Sequence, residues 1–127
     1  MRQAVETGLP QVGQPSEFAV VADGVLYTAH VPLKPDGSFE TGDARAQIVQ
    51  TLANLRTAVE AAGGTMDDVT QMLVHLIDRE HVPVMNDVWP EYFRAPYPQR
   101  ATAIVSGFVR EGIVIMIVAH AHVRKRL

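Results

Sequence analysis

Apolar residues recur at helical spacing over residues 43–62, at Ile48, Leu52, Leu55 and Val59, and then alternate one by one over residues 69–77. A period of about 3.6 residues calls for a helix with one buried stripe, and a period of two calls for a strand, so this chain must pack a helix against a sheet. Thr41 or Asp43 stands where an N-cap belongs, and Gly63-Gly64 stands where the helix should stop. Arg45, Gln50, Arg56 and Glu60 make the opposite, wet side of the same helix. In the strand, Thr70, Met72, Val74 and Leu76 form the expected core face, and Val69, Gln71, Leu73, His75 and Ile77 the other.

The remaining segments extend this pattern on both sides. Two β-prone runs, residues 18–22 and 25–31, flank Asp23-Gly24, a dipeptide suited to a two-residue type I′ turn because both positions need positive φ. Lys34-Pro-Asp-Gly37 supplies a second turn before the helix. A second helix is predicted over about residues 80–93, burying Val84, Val88 and Tyr92, with Pro90 kinking or shortening its last turns. Ala95-Pro-Tyr-Pro-Gln99 then stiffens the approach to a strand over residues 100–107, and a loop at Arg110-Glu-Gly112 leads to a last strand over 113–122. The order β-β-α-β-α-β-β defines an α/β two-layer sandwich, a mixed sheet with two helices on one face. Its length of 127 residues fits a single domain over 1–127 and leaves no third layer to cover Met116 and Val118 on the far side of the sheet. Association through that face is the expected solution.

The formal net charge of −3 gives no basic field for phosphate backbones, so nucleic acid is not an expected partner. With no cysteine there are no disulfides, thiolate nucleophiles or thiolate metal sites, which agrees with a reducing cytosol. Residues 1–13 have no continuous apolar core of a signal peptide, and the longest apolar stretch, 113–119, is of strand length; no membrane partner and a cytoplasmic location are expected.

A set of separated motifs runs along the chain: Gly13-Gln-Pro-Ser-Glu17, Thr28-Ala-His-Val-Pro32, Asn54-Leu55, Val59-Glu-Ala-Ala-Gly63, Asp67-Asp-Val69, Asn86, Tyr92-Phe93, Pro98-x-Arg100 and the alternation Ile115-x-Ile-x-Ala-x-Ala121. In their order and spacing, from about residue 13 to 121, they resemble the Rid/YjgF superfamily of RidA-like reactive-intermediate deaminases, also called endoribonuclease L-PSP-like. The resemblance implies a chorismate-mutase-like sandwich assembled as a homotrimer with clefts between subunits. It also implies hydrolysis of small enamines and imines to keto acids and ammonia, with no cofactor and no metal; other members only bind small ligands.

Under that resemblance Arg100 is the residue that grips a substrate carboxylate, a task suited to a planar fork of donors that stays charged. The deaminases of the family place a glutamate on the last strand to handle the attacking water, and Met116 stands there in this chain. A thioether cannot accept that proton, and shifting the register brings Ile115 or Val118, not a carboxylate. His30, where the family often has glutamine, is a candidate catalytic substitute able to move protons near neutral pH; the plain alternative is a histidine satisfied by a backbone carbonyl. Thr28, Thr102, Asn86 and Phe18 are further substrate-binding candidates, together with Met116 itself. Phe18, Tyr27, Trp89 and Tyr97 are candidate apolar walls, or else core and rim aromatics. Pro15 replaces the family's tyrosine and alters the pocket. His120 and His122 share one strand face and read either as interface polar groups or as an incomplete metal set; His75 and His81 read as surface histidines.

The expected function is therefore an enamine or imine deaminase-like hydrolase acting on a small carboxylate at an inter-subunit cleft, with Arg100 and His30 as catalytic residues. The alternatives are a non-catalytic small-carboxylate-binding module and a pathway-specific enzyme on an unusual substrate. Ribonuclease activity gains little from an acidic chain, and the basic tail Arg124-Lys-Arg126 is too short to change that.

Overall fold

A computed structural model describes residues 1–123; the basic tail at 124–126 lies outside them. The order is β1 (Gln3–Ala4), β2 (Ala19–Ala22), β3 (Val25–His30), α1 (Ala44–Ala61), β4 (Val69–Leu76), α2 (His81–Val88), β5 (Gln99–Ile104) and β6 (Ile115–His122). The strands form one mixed sheet in the order β1-β2-β3-β6-β4-β5, in which only β4 and β5 run parallel. This is the α/β two-layer arrangement expected, with one addition: β1 pairs with the outer edge of β2.

Local chemistry places the best-defined elements. Asp23 and Gly24 both take positive φ, 51° and 77°, and turn β2 into β3 as a type I′ hairpin. Of the two candidate caps, Asp43 is the one used: its carboxylate accepts from the Ala46 N–H at 2.8 Å. At the other end Gly63, at φ 89°, closes α1 with the Gly64 N–H on the Val59 carbonyl and its own N–H on that of Glu60.

Ile48, Leu52, Leu55 and Val59 are all fully buried against Leu26, Met72, Val74, Ile115 and Ile117, so the helical stripe and the inner faces of β3, β4 and β6 share one core. Met116 and Val118 alternate with these residues and lie on the face the helices leave bare. Tyr27 and Ile77 are exposed among the large apolar side chains, at 44% and 38%.

Several expected boundaries and faces are corrected. A bulge between Val69 and Gln71 shifts the start of β4 by one position, so Val69 is buried and Thr70 is exposed, the reverse of the alternation. The second helix is α2 followed by a 3-10 turn, Trp89–Glu91, because Pro90 interrupts the α-helical ladder. Val88 is buried as expected, but its buried companions are Met85, Trp89 and Phe93, each one position on from the expected stripe, and Val84 and Tyr92 are only half-buried. The strand expected over 100–107 ends at Ile104, and the last strand starts at Ile115 rather than 113.

Candidate functional site

The candidate residues fall into two groups. The first lies where β3 ends and β6 begins, around a cavity of about 750 Å³ lined by His30, Phe18, Met116, Phe39, Ile113 and Arg110 among others. His30 is the last residue of β3 and is 2% exposed, because the alternation that buries Leu26 and Thr28 also turns it inward. Its Nε2 lies 2.6 Å from the Thr28 hydroxyl, which donates to the Phe18 carbonyl at 2.8 Å. The Phe18 ring stacks on the imidazole with centroids 6.2 Å apart and planes 16° apart. Desolvation pushes the His30 pKa down to about 4, leaving a neutral imidazole at physiological pH.

Two buried amides of α1 hold the walls of this cavity. Gln47 donates to the Gly112 and Gly42 carbonyls and accepts from the Val114 N–H at 2.8 Å, pinning the loop before β6. Asn54 donates to the carbonyls of Val31 and Leu33, both at 2.9 Å, and fixes the chain leaving β3. Arg110 lies over the Phe39 ring, 4.2 Å from its centroid, and the exposed carboxylates of Glu17 and Glu111 complete the rim. Gln47, Asn54 and Arg110 were not singled out as site residues in the sequence; the signals were the Asn54-Leu55 motif and the glycine-containing loop at 110–112.

The second group is carried by β5 and α2. The half-buried Arg100 guanidinium donates to the Asn86 side-chain oxygen at 2.6 Å and lies 4.6 Å over the centre of the Trp89 ring. Asn86 takes one donor direction and Trp89 one face, so the outer edge of the guanidinium keeps donors for a bidentate carboxylate. Partial burial lowers the Arg100 pKa, yet a guanidinium starts so high that it remains a cation. Thr102 is two residues along β5 and exposed.

One chain does not join the two groups. Across the sheet Arg100 pairs with Met72, Met72 with Ala119 and Ala119 with Thr28, so Arg100 and Thr28 occupy one row three strands apart. Three strand spacings amount to roughly 14 Å, and the intervening Met72 and Ala119 are buried.

The other singled-out residues lie elsewhere. Tyr27 and His120 meet edge to face on the bare side of the sheet, centroids 5.1 Å apart. His75 contacts the Met116 carbonyl at 3.3 Å, and Tyr97 is 56% exposed. The His81 Nδ1 atom is buried without a partner among the described residues, so its expectation as a surface histidine is only partly met. Among the described residues no group of three or more His, Cys, Asp or Glu side chains could hold a metal ion, and no helix is long and apolar enough to cross a membrane.

The fold is an α/β two-layer arrangement of the Rid type, and comparison with known proteins gives the family directly. Residues 7–123 match the family described as Endoribonuclease L-PSP, and the chain belongs to this Rid/YjgF family. Among solved structures it is similar to RidA from the Antarctic bacterium Psychrobacter sp., with 27% identity, 94% of this chain and 98% of that chain covered, and a TM-score of 0.87. It is also similar to the Rid-family protein YyfA of Yersinia pestis, at 25% identity, 96% and 99% coverage and a TM-score of 0.89. A third likeness is to E. coli TdcF with bound serine, at 25% identity, 94% and 98% coverage and a TM-score of 0.86.

Proposed function

We propose that this protein is a cytoplasmic imine or enamine deaminase-like hydrolase acting on a small carboxylate-bearing substrate. Arg100 is the observation that carries the reading: a guanidinium seated on Trp89 and steadied by Asn86, with its outer donors free for a carboxylate. The bound serine in the TdcF structure, a small amino acid with a carboxylate, supports the same ligand class. Because Arg100 and the His30 cavity are three strands apart in one chain, the complete site is an inter-subunit cleft in which Arg100 of one copy faces the cavity of the next. A homotrimer formed through the bare sheet face builds such clefts.

In this reading, Arg100 holds the carboxylate and the imine carbon sits over the cavity with Phe18 and Met116 as walls and Thr102 at the edge. Water adds to the imine carbon, the nitrogen takes up its proton, and the resulting carbinolamine collapses to a keto acid and ammonia. Orientation and the fixed guanidinium charge supply the acceleration, since Met116 offers no base. In this reading His30, whose neutral imidazole lines the cavity, relays the water proton. The net charge of −3 argues against the ribonuclease activity in the family's name.

A second reading follows from Met116: a cavity without the strand carboxylate suits a module that binds small carboxylates and does no chemistry. The two readings separate on keto-acid release from an imino acid generated in situ, compared with the uncatalysed rate. Acceleration by wild type and its loss in Arg100→Ala supports the hydrolase; activity only in Met116→Glu supports the binding module.

A further inference from the structure

The hydrogen-bond partners of His30 decide which of its nitrogens is available to a ligand. A threonine hydroxyl has a single hydrogen, and the Phe18 carbonyl, 2.8 Å from the Thr28 Oγ1, can only accept. If that hydrogen pointed to His30 instead, two oxygen acceptors would face each other at hydrogen-bond distance with nothing between them. The hydrogen therefore goes to Phe18, and Thr28 Oγ1 accepts from the Nε2–H of His30 at 2.6 Å. Both side chains are buried, at 5% and 2% exposure, and the Phe18 ring lies nearly parallel to the imidazole with centroids 6.2 Å apart.

The other nitrogen, Nδ1, has no partner among the described residues and is not among the fully occluded polar atoms, and His30 lines the cavity. We propose that Thr28 is a positioning residue: it locks His30 as the Nε2–H tautomer, so that Nδ1 is the buried acceptor for an N–H or O–H donor of a ligand in this cavity. The groups around it sharpen that assignment. Phe18, Phe39, Ile113 and Met116 offer no strong acceptor, Arg110 only donates, and the other side-chain acceptors of the lining, on Gln11, Gln14, Ser16, Glu17 and Glu111, are all exposed. A ligand that reaches the inner end of the cavity finds its acceptor at Nδ1. The matching class is a small acid bearing an amino or imino N–H, rather than a bare keto acid. The depressed pKa of His30 agrees, since Nδ1 stays unprotonated at neutral pH. The ligand half of this inference rests on the proposed function, which places the substrate here; the tautomer half does not.

Side-chain 15N–1H correlation spectra of the labelled full-length protein at neutral pH test both halves. His30 is expected to show a pyrrole-like Nε2 and a pyridine-like Nδ1. Thr28→Ser should keep that pattern, and Thr28→Val should lose it or mix it with the other tautomer. A protonated Nδ1 in wild type overturns the inference, as does a Thr28→Val spectrum identical to wild type; if Thr28→Val does not fold, wild type and Thr28→Ser still decide the tautomer. Saturating serine should shift the Nδ1 resonance, and pyruvate, which carries no N–H, should not. An Nδ1 unmoved by serine overturns the acceptor role even if Arg100-dependent hydrolysis is intact. The expected spectra with no hydrolysis would instead overturn the proposed function alone.

Discussion

His30 couples the protonation of one imidazole to the stability of the fold. Burial lowers its pKa from 6.5 to about 4, so below pH 6.5 the unfolded chain takes up a proton that the native chain refuses. Its contribution is fully present above about pH 6.5 and is lost as the pH falls toward about 4, a total of about 3 kcal/mol at 1.4 kcal/mol per unit. Urea unfolding near pH 7.5 and near pH 4 should therefore show a larger acid-induced loss in wild type, by about that amount, than in His30→Gln, which cannot titrate. Equal losses would mean that His30 is not held neutral. At Arg100, replacement by lysine keeps the charge but removes the planar fork and the stack on Trp89. Under the proposed function, Arg100→Lys should raise KM for a carboxylate substrate by about tenfold, corresponding to about 1.4 kcal/mol, while an unchanged KM would place the carboxylate elsewhere.

Helix α1 serves as core element and as brace for the cavity. Leu52 is fully buried, and Leu52→Ala should cost about 2–5 kcal/mol in denaturant unfolding. Gln47 is a different case, since its amide meets backbone groups of the loop before β6 rather than apolar atoms. Gln47→Ala leaves the Val114 N–H and the Gly112 carbonyl without that partner, at about 1–3 kcal/mol for each group that stays dry. It should also raise hydrogen exchange at Val114 selectively, because that amide gives up its only side-chain acceptor. Uniform change across the sheet, with Val114 no different from its neighbours, would contradict the brace.

The sheet has two unequal faces, one covered by α1 and α2 and the other bare. That second face carries Tyr27, Met116, Val118 and His120, which no helix covers. Sedimentation should give a mass three times that of the 13.9 kDa chain, and Val118→Asp should dissociate it by placing a charge in the contact. A wild-type protein that sediments as a single chain would remove both the trimer and the shared cleft.

Much of this architecture was legible in the order of residues, because its signals are local. The Asp23-Gly24 turn, the Asp43 cap, the Gly63 stop and the stripe from Ile48 to Val59 each act within a few positions of themselves. The candidate site residues came from the motifs that resemble the Rid family. What depends on contacts distant in sequence was not legible. Strand β1 is two residues, Gln3 and Ala4, that become a strand only on the edge of β2. The buried side of α2 was set by its packing into the core, and the start of β4 by a bulge, neither of which a period alone reveals. The separation of Arg100 from His30 belongs to the same class, since it arises when β6 and β4 insert between β3 and β5. By itself the sequence determined α1 and the strands from β2 onward as helix and strand, because those choices are settled by turns, caps and period. Only the tertiary structure decided which functional side chains meet, because strand order and the direction of each buried donor are set by packing between segments far apart in the chain.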